Sequence, residues 1–196
     1  MPLRKLALAY VSAAMSFAAF AQDNNCTSPQ KCSLIGFSAN LTNFTKPLSI
    51  GNSFKNGNSS AGFSIMYWRG INRNLDFTFR YNGLFTNYSK NPSPSNSSDY
   101  GNELESDVHG RLLADNKFVQ PFVTTGLGLA VYGGKWGVFV PLGGGIQFNF
   151  EEITYLFLHM SYRATLTSSK LDNSLFYSLG IAESISKSRY PRPKIQ

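Results

Sequence analysis

The feature that most constrains this chain is the stretch 118–150, FVQPFVTTGLGLAVYGGKWGVFVPLGGGIQFNF. It reads as two strand arms joined at Gly133-Gly134. Val119, Val123, Leu127, Leu129 and Val131 share one parity on the first arm. Val138, Val140, Leu142, Ile146 and Phe148 share one on the second. The opposite parity carries Gln120, Thr124, Gly126, Gly128, Gly143, Gly145, Gln147 and Asn149, and Phe122 and Phe139 break the pattern. Side chains alternate between the two faces of a strand, so each arm has one apolar face and one small, polar face. Both arms exceed the usual strand of about 5–6 residues. They suit a tilted strand crossing a bilayer, which needs roughly 9–11.

The same alternation recurs along the chain. Further strands are expected at 33–45, 61–69, 75–88, 101–113, 154–166 and 174–183, which with the two arms makes eight. Polar connections at 46–60, 89–100 and 167–173 alternate with short turns at 70–74, 114–117 and 150–153. Outer-membrane barrels show this arrangement, with short turns on the periplasmic side and long loops outside. The expected fold is all-β: an eight-stranded antiparallel up-and-down transmembrane β-barrel. Tyr67, Trp68, Tyr88, Tyr100, Tyr132 and Trp136 lie near strand ends, where interfacial aromatic girdles form.

The N-terminus supports export. Arg4 and Lys5 precede an Ala-rich apolar run that ends at Ala19-Phe20-Ala21. This is the pattern of a secretory signal peptide over 1–21. A segment with two cysteines, 22–32, precedes the barrel at 33–183, and a polar, proline-containing tail occupies 184–196. Cys26 and Cys32 are the only cysteines, and an oxidising export route allows them a local disulfide. The positive charges are scattered and form no basic stripe, which gives nucleic-acid binding no support.

The polar face separates a barrel in lipid from a lipocalin-like barrel in water, which keeps an apolar cavity and turns its charges outward. Here Arg80, Glu103, Glu105, Asp107, His109, Arg111, His159 and Arg163 sit mid-strand on that face. Ion pairing inside the tube is expected among them, with Arg80, Glu105, Arg111 and Arg163 as partners, because an unpaired buried charge is costly. Glu103, Glu105 and Asp107 are spaced along one strand and line a tube rather than converge on a metal. No cofactor is implied.

Four segments carry a resemblance: RYNGLFTNYSK, GNELESDVHGRLLADNKFVQPFVTTGLGLAVYGGKW, VPLGGGIQFNF and SKLDNSLFYSLG. They resemble the N-terminal transmembrane barrel of OmpA-type outer-membrane proteins of the Bacteroidetes form, over most of 33–183. The resemblance implies a non-enzymatic structural barrel in the bacterial outer membrane. Its partners would be outer-membrane lipid, lipopolysaccharide and, during biogenesis, the barrel-assembly machinery. It does not say what the external loops bind. Longer members continue through a Pro-rich linker into a peptidoglycan-binding domain, whose residues have no counterpart here. The last strand also departs from the usual assembly signal, since Ile181, Ala182 and Glu183 follow Gly180. His159-Met160-Ser161 is similar to the His-x-Ser pair of outer-membrane lipid A deacylases. It lacks the orienting acid of a triad and lies on the lumen parity, so two polar lumen fillers are expected. A narrow gated ion path is a further alternative, should the lumen ion pairs exchange partners.

Overall fold

The computed structural model describes residues 31–44, 59–86, 99–113, 118–132, 135–150, 153–167 and 172–185. The expected signal peptide, Cys26, Tyr88, the Gly133-Gly134 turn and most of the tail lie outside these residues. The described elements are all strands: β1 (Leu34–Asn43), β2 (Ser59–Gly70), β3 (Leu75–Thr86), β4 (Asp99–Arg111), β5 (Val119–Tyr132), β6 (Lys135–Phe150), β7 (Thr154–Thr165) and β8 (Ser174–Ser184). Each strand pairs antiparallel with the next, and β1 pairs with β8 to close the barrel. β2 and β4 begin slightly earlier than their side-chain alternation indicated. Ser59 pairs with Asn43 and Asp99 with Thr86, and backbone pairing needs no apolar period.

The barrel has two unlike ends. The turn end joins strands through 71–74, 112–118 and 151–153; the loop end uses 44–58, 87–98, 133–134 and 166–173. In the 71–74 turn, the Asn72 side-chain oxygen accepts hydrogen bonds from the Asn74 and Leu75 amides at 2.9 and 2.8 Å. Such local capping is why asparagine suits a tight turn.

The polarity is inverted relative to a water-soluble protein. Leu127, Leu158 and Met160 are each at least 50% exposed on the outer face, whereas Arg80, Glu105 and Arg163 are at most 1% exposed inside. An outer face of this kind is stable against acyl chains. It is the reverse of what a soluble lipocalin-like barrel requires.

The inner face is less uniformly small and polar than the alternation suggested. Phe122, Phe139, Phe157 and Phe176 are buried inside, as are Met66, Trp68 and Leu84. Glycines directly opposite make room for three of these rings. Phe122 pairs with Gly145, Phe139 with Gly128 and Phe157 with Gly180. A Cβ on Gly145 or Gly180 would stand 2.7 Å from the tip of the facing ring, and one on Gly128 would stand inside the Phe139 ring. The two phenylalanines that break the sequence pattern are therefore lumen fillers lying across glycine, a known way of supporting glycine in a sheet. Backbone also leaves no room for a Cβ at two of these sites, which would meet the Leu158 carbonyl at Gly145 and the Phe37 carbonyl at Gly180, and Gly143 shows that restriction without a ring. A Cβ there would meet the Met160 carbonyl and Ser161 backbone, which cannot swing aside.

Two substitutions test this packing. Gly143→Ala is expected to lower barrel stability by about 1–3 kcal/mol through overpacking. Gly110→Ala, whose Cβ would sit 3.4 Å from a Val123 methyl, should be near neutral. Urea unfolding in lipid vesicles, followed by the electrophoretic shift between folded and unfolded barrel, gives the comparison. On the outer face, Leu127→Arg should cost about 2–4 kcal/mol if this position lies at the bilayer midplane.

Candidate functional site: a charged, filled lumen

Alternation on β3, β4 and β7 points the ionisable residues inward. The lumen they form has three levels. At the loop end, Leu84, Ala130, Tyr132 and Phe139 form an apolar cluster, with Phe44 packed against it. At the turn end, Leu34, Met66, Trp68, Tyr155, Phe157 and Ala182 form another. The charged groups occupy the space between and beside these clusters.

Arg163 is the centre of the network. Its Nη1 donates to Glu103 at 2.6 Å and its Nη2 to Glu105 at 2.5 Å. Its guanidinium lies 3.8 Å from the Phe176 ring centroid and 4.9 Å from that of Phe139. Arg80 stands 3.6 Å from the other Glu105 oxygen and 3.2 Å from His159 Nδ1. Glu103 also accepts hydrogen bonds from Asn82 and from the Tyr132 hydroxyl. The Asn82 oxygen accepts from Ser64 at 2.5 Å, and Ser64 accepts from Asn40 at 2.6 Å. Six strands, β1 to β5 and β7, are thus tied together by side chains across the lumen. Planar guanidinium groups suit this role because each can donate to two carboxylates at once.

All eight ionisable residues singled out from the sequence are buried inside the barrel. Their pairing differs in part from the expectation. Arg111 joins none of the expected partners; its Nη2 pairs with Asp76 at 3.2 Å and donates to the Asn72 carbonyl at 2.9 Å. Register explains this, because Arg111 ends β4 and sits beside the start of β3. Asp107 forms no ion pair among the described residues; its carboxyl lies beside that of Glu105. His109 stacks on Phe122 at 4.8 Å and meets Thr78 Oγ1 at 3.0 Å through Nε2. His159 faces Arg80 rather than Ser161, whose hydroxyl has no hydrogen-bond partner among the described residues. Among the described residues no His, Cys, Asp or Glu group converges as a metal site.

The girdle expectation needs correction. Trp68 and Tyr132 are lumen residues, 1% and 3% exposed, because both fall on the inward parity of their strands. Tyr100 and Trp136 face outward, and Tyr67 is half-buried near the turn end, its hydroxyl 2.9 Å from Ser33 Oγ. The outward rings at the strand ends are mainly phenylalanines. Phe85 contacts Phe63 and Tyr100 at the loop end, and Phe118 contacts Phe148 and Phe150 at the turn end.

One lumen residue precedes every strand and shows no alternation, so sequence pattern could not find it. Lys31 enters the turn end and its Nζ donates to Asp76 at 2.8 Å and to Gln147 at 2.7 Å. Cys32, next to it, is disulfide-bonded, and Cys26 is the one other cysteine in the sequence. Burial pulls the Lys31 ammonium down to about 7, against a partial opposing effect of Asp76.

These observations allow comparison with proteins of known structure. The barrel is similar to the N-terminal β-barrel domain of OprF from Pseudomonas aeruginosa, with a TM-score of 0.54 and 14% identity over 79% of this chain and 98% of that one. It is similar to the same degree to neisserial surface protein A, with a TM-score of 0.54 and 14% identity over 78% of this chain and 96% of that one. No family model and no curated relative matches the sequence.

Two results are expected for the lumen. Arg163→Met, which strands two buried carboxylates, should cost about 3–5 kcal/mol, whereas Asp107→Asn should leave stability nearly unchanged, because Asp107 forms no ion pair among the described residues. Equilibrium unfolding of both variants decides this. For Lys31 the sign follows from its lowered pKa. Between about 7 and the ordinary 10.5 the unfolded chain holds a proton that the folded one has lost, so stability should rise with pH across that window. Lys31→Met should flatten that rise, measured as the difference between the two unfolding midpoints against pH. The fold these features build is the closed eight-stranded barrel seen in OprF and neisserial surface protein A.

Proposed function

We propose that this chain is a non-enzymatic, structural barrel of the bacterial outer membrane, with a lumen sealed by its own side chains and with polar loops displayed outside. The observation that carries the reading is the inverted polarity: paired charges within, an apolar belt without. A closed sheet leaves no unpaired strand edge to face lipid, which is what a spanning β-structure requires. The similar solved structures support the same setting.

Eight strands enclose a space about wide enough for side chains alone. The hollow at the loop end, lined by Phe44, Glu103, Tyr132, Phe139 and Arg163 among others, has no room for a water molecule. Solute diffusion is therefore not part of this function. A deacylase reading would need His159 and Ser161 to act together on acyl chains. Both are buried in the lumen, and His159 is engaged with Arg80. Outer-membrane lipid and lipopolysaccharide are the surroundings this outer face fits, and a barrel-assembly machinery would insert it.

Membrane extracts of cells expressing the chain test the reading. The protein should resist release by salt, migrate faster before boiling than after it, and leave lipid A acylation unchanged. In planar bilayers it should show no conductance above background; steady unitary currents would overturn the sealed lumen.

A further inference from the structure

Lys31 is held by more than an ion pair. Its ammonium lies 4.0 Å from the Trp68 ring centroid and 5.1 Å from that of Tyr155, in addition to its bonds to Asp76 and Gln147. The four groups come from β2, β3, β6 and β7 and converge on one point. A carboxylate, an amide oxygen and two aromatic faces together match what a primary ammonium offers: three N–H donors on a compact positive charge.

The cage is oriented by contacts that do not involve Lys31. Gln147 Nε2 donates to Gln120 Oε1 at 2.5 Å, which turns the Gln147 oxygen toward the ammonium. Arg111 holds the other Asp76 oxygen at 3.2 Å. The occupant, by contrast, belongs to no strand. Near Lys31, the segment meets the barrel backbone through the Gly70 amide donating to the Lys31 carbonyl at 3.2 Å and the Ile185 amide donating to the Ser33 carbonyl at 3.0 Å.

We propose that the turn end of the lumen is a binding site for a primary alkylammonium group, which Lys31 fills in cis as a latch on the N-terminal segment. The ligand class follows from the cage: a single ammonium on a slim alkyl stem fits, whereas a quaternary ammonium has no N–H for Asp76 and Gln147. The proposal concerns the barrel alone and holds in detergent, so its outcome is independent of where the loops point and of what they bind.

Chemical rescue tests it. The full chain carrying Lys31→Ala is refolded in detergent and melted at mildly acidic pH, with unfolding followed by the electrophoretic shift. The melting midpoint should fall, and n-butylammonium chloride should restore most of the loss along a saturating curve. Potassium chloride and tetramethylammonium chloride at matched ionic strength should not, and Lys31→Ala combined with Asp76→Asn should not respond to butylammonium. Equal effects from all three salts would overturn the site. Should the alanine variant not fold, labelling keeps the proposal exposed. In the unsubstituted barrel a water-soluble acetylating reagent should spare Lys31, and Asp76→Asn should raise its labelling rate about tenfold or more, because one arm of the cage is gone. Equal labelling in the two proteins would sink the latch.

Discussion

The hydrocarbon core of a bilayer contains no water to pair with an exposed N–H or C=O, and each unsatisfied group there costs several kcal/mol. A β-structure can meet that condition only by closing. In this chain the closing contact is the β1–β8 ladder, running from Leu34 opposite Ser184 to Asn43 opposite Leu175. Everything else in the barrel depends on it. Closure makes one face of every strand an interior, and therefore decides which side chains must be satisfied by protein and which by lipid.

Closure at eight strands also sets the problem of filling the tube. The interior admits side chains but leaves little spare space. The chain meets this by pairing bulk with absence of bulk. Phenylalanine rings lie across glycines on neighbouring strands, and guanidinium groups lie over rings, Arg163 over Phe139 and Phe176 and Arg80 over Phe176. Arg163 combines the two devices, since it stacks on Phe176 and forks between Glu103 and Glu105. Buried charge alone would not make a stable core, because its desolvation offsets much of the attraction. What holds the middle of the barrel is that most of its charges have partners fixed by strand register. Asp107 departs from this: it lies beside the Glu105 carboxyl and forms no ion pair among the described residues.

The two ends of the tube are closed differently. At the loop end, Tyr132 caps Glu103 from β5 and packs edge-on against Phe44. At the turn end, Trp68 is surrounded by His109, Phe122, Tyr155 and Phe157, and the N-terminal segment adds Lys31 from outside the sheet. One end is therefore filled mainly by strand residues with Phe44 beside them, the other partly by a residue that need not be there for the sheet to close.

Much of this was legible in the residues. A period of two is imposed by the strand backbone, so Leu127 and Leu158 could be assigned to the lipid side and Arg80, Glu105 and Arg163 to the lumen without coordinates. The number of alternating segments yielded the strand count for the same reason. Partner choice was not legible. Which carboxylate meets Arg111 depends on the stagger between β3 and β4, a property of the closed sheet rather than of either strand. The placement of Trp68 and Tyr132 was missed because nearness to a strand end suggested a girdle, while their inward parity puts them in the lumen. Lys31 lay beyond any periodic signal, since it belongs to no strand and reaches its cage only once four strands have come together. Which faces are wet and which are oily follows from the residues, because alternation is local; who pairs with whom emerges only in the closed barrel, because pairing across a tube is a matter of closure and register.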